Sequence, residues 1–355
     1  MPELLISADS HVKMSHDQVK AHLASKHHAS YDDAANRYEA SMQHATGAAN
    51  RAGAQLVAKN AVFRRPGYWD PVERLKDMDT DGVEAEVLYS EVSAFRYLSG
   101  VEGAVAPAVR AFNDALYDFA QVGPRRLIVS YQIPIHDIDI AIAEVTRVAG
   151  LGAKSLQLPV FPSELGQADY YDERYAPLFA TIEETGLPIC CHIGLKTSLD
   201  DIARRDPTPQ RAVMVSMTPL MTAEALGMWI MGGVFERFPR LKVVFVEPGL
   251  TWVAWWLDTV DDMKSRQGYE YPAISRLPSF YFHRNVSLSF IDERLALHRL
   301  RDVLGVENLL WSTDFPHPVT SWPNSRTLVD EQFVGIPADE RQLMVSGNAR
   351  RVFGL

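Results

Sequence analysis

Four segments of this chain end in side chains that can bind a metal. Asp9 and His11 follow the apolar run Leu4 to Ala8. His192 ends LPICCH, Glu247 ends LKVVFVE and Asp314 ends ENLLWSTD. Imidazoles and carboxylates without thiolates suit zinc, manganese or iron in a catalytic rather than a structural site. Each residue alone has an ordinary role. A histidine at a strand end packs and hydrogen-bonds, Asp9 or Asp314 caps a turn, and Glu247 before Pro248-Gly249 accepts from backbone amides. Their shared placement at strand ends changes that reading, because the C-terminal ends of neighbouring parallel strands open onto one pocket. Asp9, His11, His192 and Asp314 are therefore taken as a metal set, with Glu247 beside them. His317, three residues beyond Asp314, lies on the same rim as a partner of a ligand, a substrate-binding group or a ligand of a second ion.

Positioning these groups requires a regular scaffold, and the chain alternates β-rich runs with helical ones. Candidate strands are Leu4–Ala8, Glu84–Tyr89, Arg126–Ile133, Lys154–Leu158, Leu187–His192, Leu241–Glu247, Arg284–Phe290 and Glu307–Asp314, most of them entered through Gly or Pro turns. Amphipathic stretches lie between them, among them Val105–Ala120, Asp137–Val148 and Tyr175–Glu184. Eight βα units favour a closed (β/α)₈ barrel of the TIM type over an open doubly wound sheet. No glycine-rich phosphate loop follows the first strand, which disfavours a dinucleotide site. The pattern predicts one barrel domain over residues 1–355. Two insertions, about 12–70 and about 195–222, are placed over the C-terminal rim as lid and specificity elements. His16, His22, His27, His28 and His44 crowd the first insertion and read as surface residues. His136, His283 and His298 lack strand-end placement and read as structural. Trp252, Trp255 and Trp256 are expected to pack beneath the rim, and Trp311 in the core.

The 355 residues are 47% hydrophobic and 23% charged with a net charge of −10, so a nucleic-acid partner, which needs a positive patch, is disfavoured. Cys190 and Cys191 are adjacent on a candidate strand and face opposite ways, which excludes a disulfide framework. Met1-Pro2-Glu3 does not begin a secretory signal, and the apolar stretch Ala223–Phe235 is too short to span a bilayer. A soluble cytoplasmic protein is expected.

Several of these runs match a known family. Asp9-Ser10-His11, DGVEAEVLY, RLIVSYQIP, GLPICCHIG, FVEPGLTWVAWWLD, WSTDFPHPVTSWPNS and the closing GNARRVFGL resemble the amidohydrolase superfamily, in its aminocarboxymuconate-semialdehyde decarboxylase-like branch. The resemblance runs nearly end to end, and Asp314-Phe315-Pro316-His317 with Trp322-Pro323-Asn324-Ser325 is its most specific part. It implies metal ligands at Asp9, His11, His192 and Asp314, with Asp9 where the branch normally has a first histidine. Glu247 stands where the branch often has a water-activating histidine. A carboxylated-lysine bridge between two metals is not expected, since Lys154 lies at the wrong end of its strand.

The resemblance implies an enzyme acting on a small organic molecule by hydrolysis or non-oxidative decarboxylation. Asp314, Glu247 and His317 would be its catalytic groups, and one divalent ion (Zn, Mn or Fe) its cofactor. The carboxylate-rich set also fits two metals, with Glu247 and His317 as further ligands, in a dinuclear iron or manganese monooxygenase. A third reading is a non-catalytic partner subunit. A homodimer or a complex with a homologous chain is expected.

Overall fold

The computed structural model describes residues 3–47, 64–91, 93–194, 205, 206, 208 and 212–355. Its centre is a ring of parallel strands, β1 (Leu5–Val12), β2 (Val83–Ser90), β3 (Leu127–Val129 and Tyr131–Gln132), β4 (Leu156–Gln157), β5 (Ile189–His192), β6 (Val243–Val246), β7 (Val286–Phe290) and β8 (Leu309–Trp311). All eight lie within or across the expected runs. Each strand pairs in parallel with its neighbour in sequence order. At Ser130 the third strand changes direction of bonding, with Ser130 N donating to Leu88 O and Tyr131 N to Ser155 O. Between β8 and β1 the ring is joined by Asp314 N to Asp9 O at 2.9 Å and His11 N to Phe315 O at 2.6 Å. Thr313 N also donates to Ser7 Oγ at 2.9 Å.

Local signals explain the connections. Asp70 caps helix Pro71–Asp81 by accepting from Val72 N and Glu73 N, Pro71 starts it, and Gly82 ends it at φ 74°, turning the chain into β2. Asp137 caps helix Ile138–Gly150, and Gly186 at φ 69° closes helix Ala176–Thr185 ahead of β5. The apolar faces of these helices pack onto the outside of the strands as one large core. A second cluster fills the inside. It takes Ile6 and Ala8 from β1, Ala85, Val87 and Tyr89 from β2, Ile128 from β3, and Cys190, Val244, Val246 and Leu310 from later strands. Ala349, Val352 and Phe353 of the C-terminal helix complete it. Trp311 is fully buried, and both cysteines are free and buried.

The first insertion is helical over His16–His22 and His28–Gly47; residues 48–63 of it, and 195–204, 207 and 209–211 of the second, lie outside the described residues. Among the described residues no helix is long and apolar enough to cross a membrane.

Candidate metal centre

The alternation of the inner face carries the candidate ligands to one end of the barrel. Cys190 points inward on β5, so His192 two residues on does too. Leu310 on β8 is likewise in phase with Asp314. β1 needs a correction of phase, since Ile6 and Ala8 already occupy the interior. The β1–β2 register shifts between Ser7 and Ser10, and this irregularity lets Asp9 and His11 both turn inward. Glu247 directly follows the inward Val246 and would point outward in a regular strand. It adopts φ 58° instead, and Asp314 adopts φ 52°; these are the only non-glycine residues with positive φ among those described. Strain of this kind is tolerated where function fixes a side chain. At Glu247 it is held by a bond from its backbone N–H to Ser289 Oγ at 2.8 Å.

The side chains meet closely. His11 Nε2 lies 3.2 Å from Asp314 Oδ1 and 3.8 Å from Asp9 Oδ1, while His192 Nε2 lies 3.6 Å from Asp9 Oδ1 and 4.0 Å from Glu247 Oε2. His317 stacks on His11 at 3.9 Å between ring centres and places Nδ1 3.0 Å from Asp314 Oδ1. Asp9, His11 and His192 form one compact group. His11, Asp314 and His317 form a second, and Asp9, Glu247 and Asp314 a third. All six residues singled out from the sequence are thus brought together.

These donors fit a divalent cation. Asp9 and Asp314 are fully buried, yet both oxygens of each carboxylate have no hydrogen bond; nor do the ring nitrogens of His11 or Nε2 of His192. Leaving so many buried polar atoms without hydrogen bonds is costly unless something else satisfies them, and a cation facing the Asp9 and Asp314 carboxylates, His11 Nε2 and His192 Nε2 would do so, while His11 Nδ1 faces Glu91. His192 Nδ1 lies 3.2 Å from Ile193 O, an arrangement that leaves Nε2 for the metal.

Burial opposes charge on His192, but the neighbouring Asp9 carboxylate outweighs it and pushes its pKa up to about 9. A proton therefore sits on His192 at neutral pH in the metal-free protein, and an incoming cation must displace it. Apparent metal affinity should rise by up to about tenfold per pH unit and level off above about pH 9. Calorimetry in buffers of differing ionisation heat would read the released proton; an affinity flat from pH 6 to 9 would remove His192 from the ligand set.

An amidohydrolase family model matches residues 9–355, which includes every candidate ligand. The chain belongs to the amidohydrolase family. A decarboxylase of 2-amino-3-carboxymuconate-6-semialdehyde from Dictyostelium discoideum is 23% identical over 308 residues, covering 85% of this chain and 82% of the relative. The 5-carboxyvanillate decarboxylase structure from Sphingomonas paucimobilis superposes with a TM-score of 0.74 at 24% identity, over 99% of both chains. A 5-carboxyvanillate decarboxylase from Novosphingobium aromaticivorans, solved with manganese and 4-hydroxy-3-methoxy-5-nitrobenzoic acid, gives 0.73 at 17% identity, over 100% of this chain and 97% of the other. These likenesses establish the barrel of this amidohydrolase.

One residue escaped the sequence reading. Glu91 continues the inward series Ala85, Val87 and Tyr89 just past the end of β2, a phase signal that was available in the sequence. Its carboxylate accepts from Tyr68 Oη and lies 3.3 Å from His317 Nε2 and 3.6 Å from His11 Nδ1. Burial opposes its charge, but His11 and His317 hold its pKa well below the usual range. Tyr68 stands at the end of the first insertion, so that segment does reach the site. Arg74 braces the same wall: it pairs with buried Glu86 at 2.6 Å, donates to His11 O at 3.0 Å and lies 4.3 Å from the Phe315 ring. Glu91 faces the far nitrogen of His11 from 3.6 Å, a charge contact that favours the ring orientation leaving Nε2 for the metal, so Glu91→Gln should weaken metal binding by about 10-fold, the low end of the effect of such partners. Titration of apoprotein with manganese would measure this; unchanged affinity would reduce Glu91 to a surface carboxylate.

The remaining expectations divide. Lys154 is exposed at the opposite end of the barrel and donates to Gly354 O, so it bridges no metal. His22, His136, His283 and His298 are exposed, and His16, His27 and His28 half-buried; the His44 side chain lies outside the described residues. Trp256 is buried and Trp252 half-buried, but Trp255 is 66% exposed and does not pack beneath the rim, because its position on helix Thr251–Arg266 faces away from the barrel.

Proposed function

We propose that this amidohydrolase is a metal-dependent, non-oxidative decarboxylase of a small carboxylic acid. The observation that carries the reading is the convergence of Asp9, His11, His192 and Asp314 as buried metal-capable groups lacking hydrogen bonds, with the Glu247 carboxyl beside them. Manganese is favoured over zinc because half of this set is carboxylate; the manganese bound to the Novosphingobium decarboxylase supports the same choice. When bound, the ion supplies Lewis-acid polarisation of a substrate oxygen.

The protein groups divide the remaining work. Burial works against charge on Asp314, but His11 and His317 more than compensate and hold its pKa down, so it stays an anion and a ligand. Burial and the neighbouring Asp314 charge raise Glu247 to about 8, so in the metal-free protein it carries a proton at neutral pH. Two carboxyl groups driven apart in this way mark an acid and an anion. Glu247 delivers its proton to the carbon that bears the substrate carboxylate. The bond to the carboxyl carbon then breaks, its electron pair stays with the protonated carbon's framework, and carbon dioxide leaves. Burial opposes charge on His317 as well, but Asp314 and Glu91 raise its pKa to about 11, making it a fixed cation that can attract the substrate anion.

The test is elemental analysis of the purified protein followed by assay of the manganese-loaded form for carbon dioxide release from hydroxybenzoic acids and unsaturated amino acids. One ion per chain and release that stops on chelation are expected. A second reading, the dinuclear iron or manganese oxygenase, is favoured by one observation: Asp314 belongs to two of the three donor groups and could bridge two ions. Two ions per chain with oxygen uptake, and no carbon dioxide release, would replace the first reading with this one.

A further inference from the structure

One cavity touches His192 and another touches Glu247, and they differ greatly in size. The cavity beside His192 leaves about 30 Å³ open, enough for about two waters. The cavity beside Glu247 leaves about 330 Å³ open, which is within the range of small-molecule sites. A ligand whose acid group lies on the metal therefore has room for its body on the Glu247 side, past the end of β7.

The larger cavity has an apolar face made by Pro219, from the helix Ala212–Met231, with Ile291 and Val319. Its ionisable groups are all acidic. Glu247, Asp292 and Glu293 line it, and no lysine, arginine or histidine does. Ser289 lines it too and is fully buried. Its Oγ accepts from Glu247 N–H at 2.8 Å, and its hydroxyl proton has no acceptor among the described residues, which leaves a donor for a ligand oxygen or a water.

The acidic charge is not cancelled locally. Both oxygens of Glu293 accept from Leu250 N–H, at 2.9 Å each, which holds the carboxylate in place without a cationic partner. Arg294 reaches Asp292 at 3.4 Å but is shared with Glu331 at 3.1 Å, so one guanidinium faces two carboxylates. Asp292 is 38% exposed and Val319 58%, which puts both on the open side of the cavity. Like charges gathered along a concave wall add to a field that attracts a cation and repels an anion.

We propose that this cavity seats the body of the substrate and selects its charge. The enzyme takes acids that carry a cationic amino group away from the reacting carboxylate, and it turns away acids with a second carboxylate there. Asp292 is the residue that sets the preference. The inference rests on the decarboxylase reading, since it places the acid group of the substrate on the metal.

The test measures binding to the manganese-loaded enzyme of two acids built on one ring, 4-(aminomethyl)benzoate and terephthalate. Wild type should bind the first about tenfold more tightly, the size expected when partly exposed charge attracts one probe and repels the other. Added salt should shrink that ratio. Asp292→Asn should cut it to about threefold, and Val319→Lys, at an exposed position on the facing side, should bring it to about one or below. A wild-type ratio of one, or a ratio unchanged by both substitutions, overturns the inference. Benzylamine and benzyl alcohol, which need no contact with the metal, separate the two claims. If wild type prefers benzylamine and Asp292→Asn loses that preference while neither acid binds, the charge selection stands and the decarboxylase reading fails. If benzylamine is not preferred either, the charge selection falls.

Discussion

Asp314→Asn should sharply weaken metal binding and turnover while leaving the barrel folded. The substitution is nearly isosteric, and asparagine is among the few non-glycine residues that accept the φ of 52° found at this position. Its backbone N–H keeps the bond to Asp9 O that helps join β8 to β1. What disappears is one negative charge from a site where His11 Nε2 and His317 Nδ1 both lie within 3.2 Å of Asp314 Oδ1. The loss of affinity should exceed the 10–100-fold that follows removal of a group which only orients a ligand, and a fall in turnover of about 10³ corresponds to about 4 kcal/mol of barrier. Thermal unfolding gives an independent readout. Manganese at about a thousand times its Kd stabilises a native protein by about 4 kcal/mol, and the variant should lose most of that increment while its metal-free melting temperature changes little. Retention of a full equivalent of metal after dialysis would remove Asp314 from the ligand set and with it the centre drawn around it.

That Asp314 could be singled out from sequence follows from how barrels use their strands. Strands buried on both faces read as near-continuous apolar runs, so VVFV and LLW announce themselves, and a polar residue ending such a run is conspicuous. All eight strands were legible for this reason. The third was legible as one run although its bonding passes from β2 to β4 at Ser130, because burial and not pairing shapes the composition. Glu91 was harder to see because it lies beyond the apolar run, where only the period-two phase of Ala85, Val87 and Tyr89 points to it. The left-handed turn that redirects Glu247 is a non-glycine case that composition does not signal, and the shift in β1 that lets Asp9 and His11 share a face is a pairing irregularity. The sequence therefore identified which residues end strands; which way each one turns was decided by backbone geometry.

Glu247→Gln should separate the two chemistries still open to this site. If Glu247 is the acid, glutamine keeps the size, the bond from residue 247 N–H to Ser289 Oγ and the metal, but has no proton to give. Turnover should then fall by about 10²–10⁴, the range for a missing general acid, with metal content unchanged. The pH profile adds a signed expectation. Burial and the Asp314 charge raise Glu247 to about 8, and a group that must be protonated to act is competent below its pKa and lost above it. Wild-type turnover should therefore decline as pH rises through the Glu247 pKa of the loaded enzyme, which a neighbouring cation places below the metal-free value of about 8, and the residual activity of the glutamine variant should lose that alkaline limb. If Glu247 is instead a ligand, as the donor group Asp9, Glu247 and Asp314 permits, the same substitution lowers the number of bound ions and leaves no alkaline limb of this origin to lose. Metal stoichiometry and pH profile, measured on one pair of proteins, thus assign Glu247 to the proton or to the cation. A variant with full activity, full metal and an unchanged profile would exclude both roles and leave its strained φ of 58° without a function.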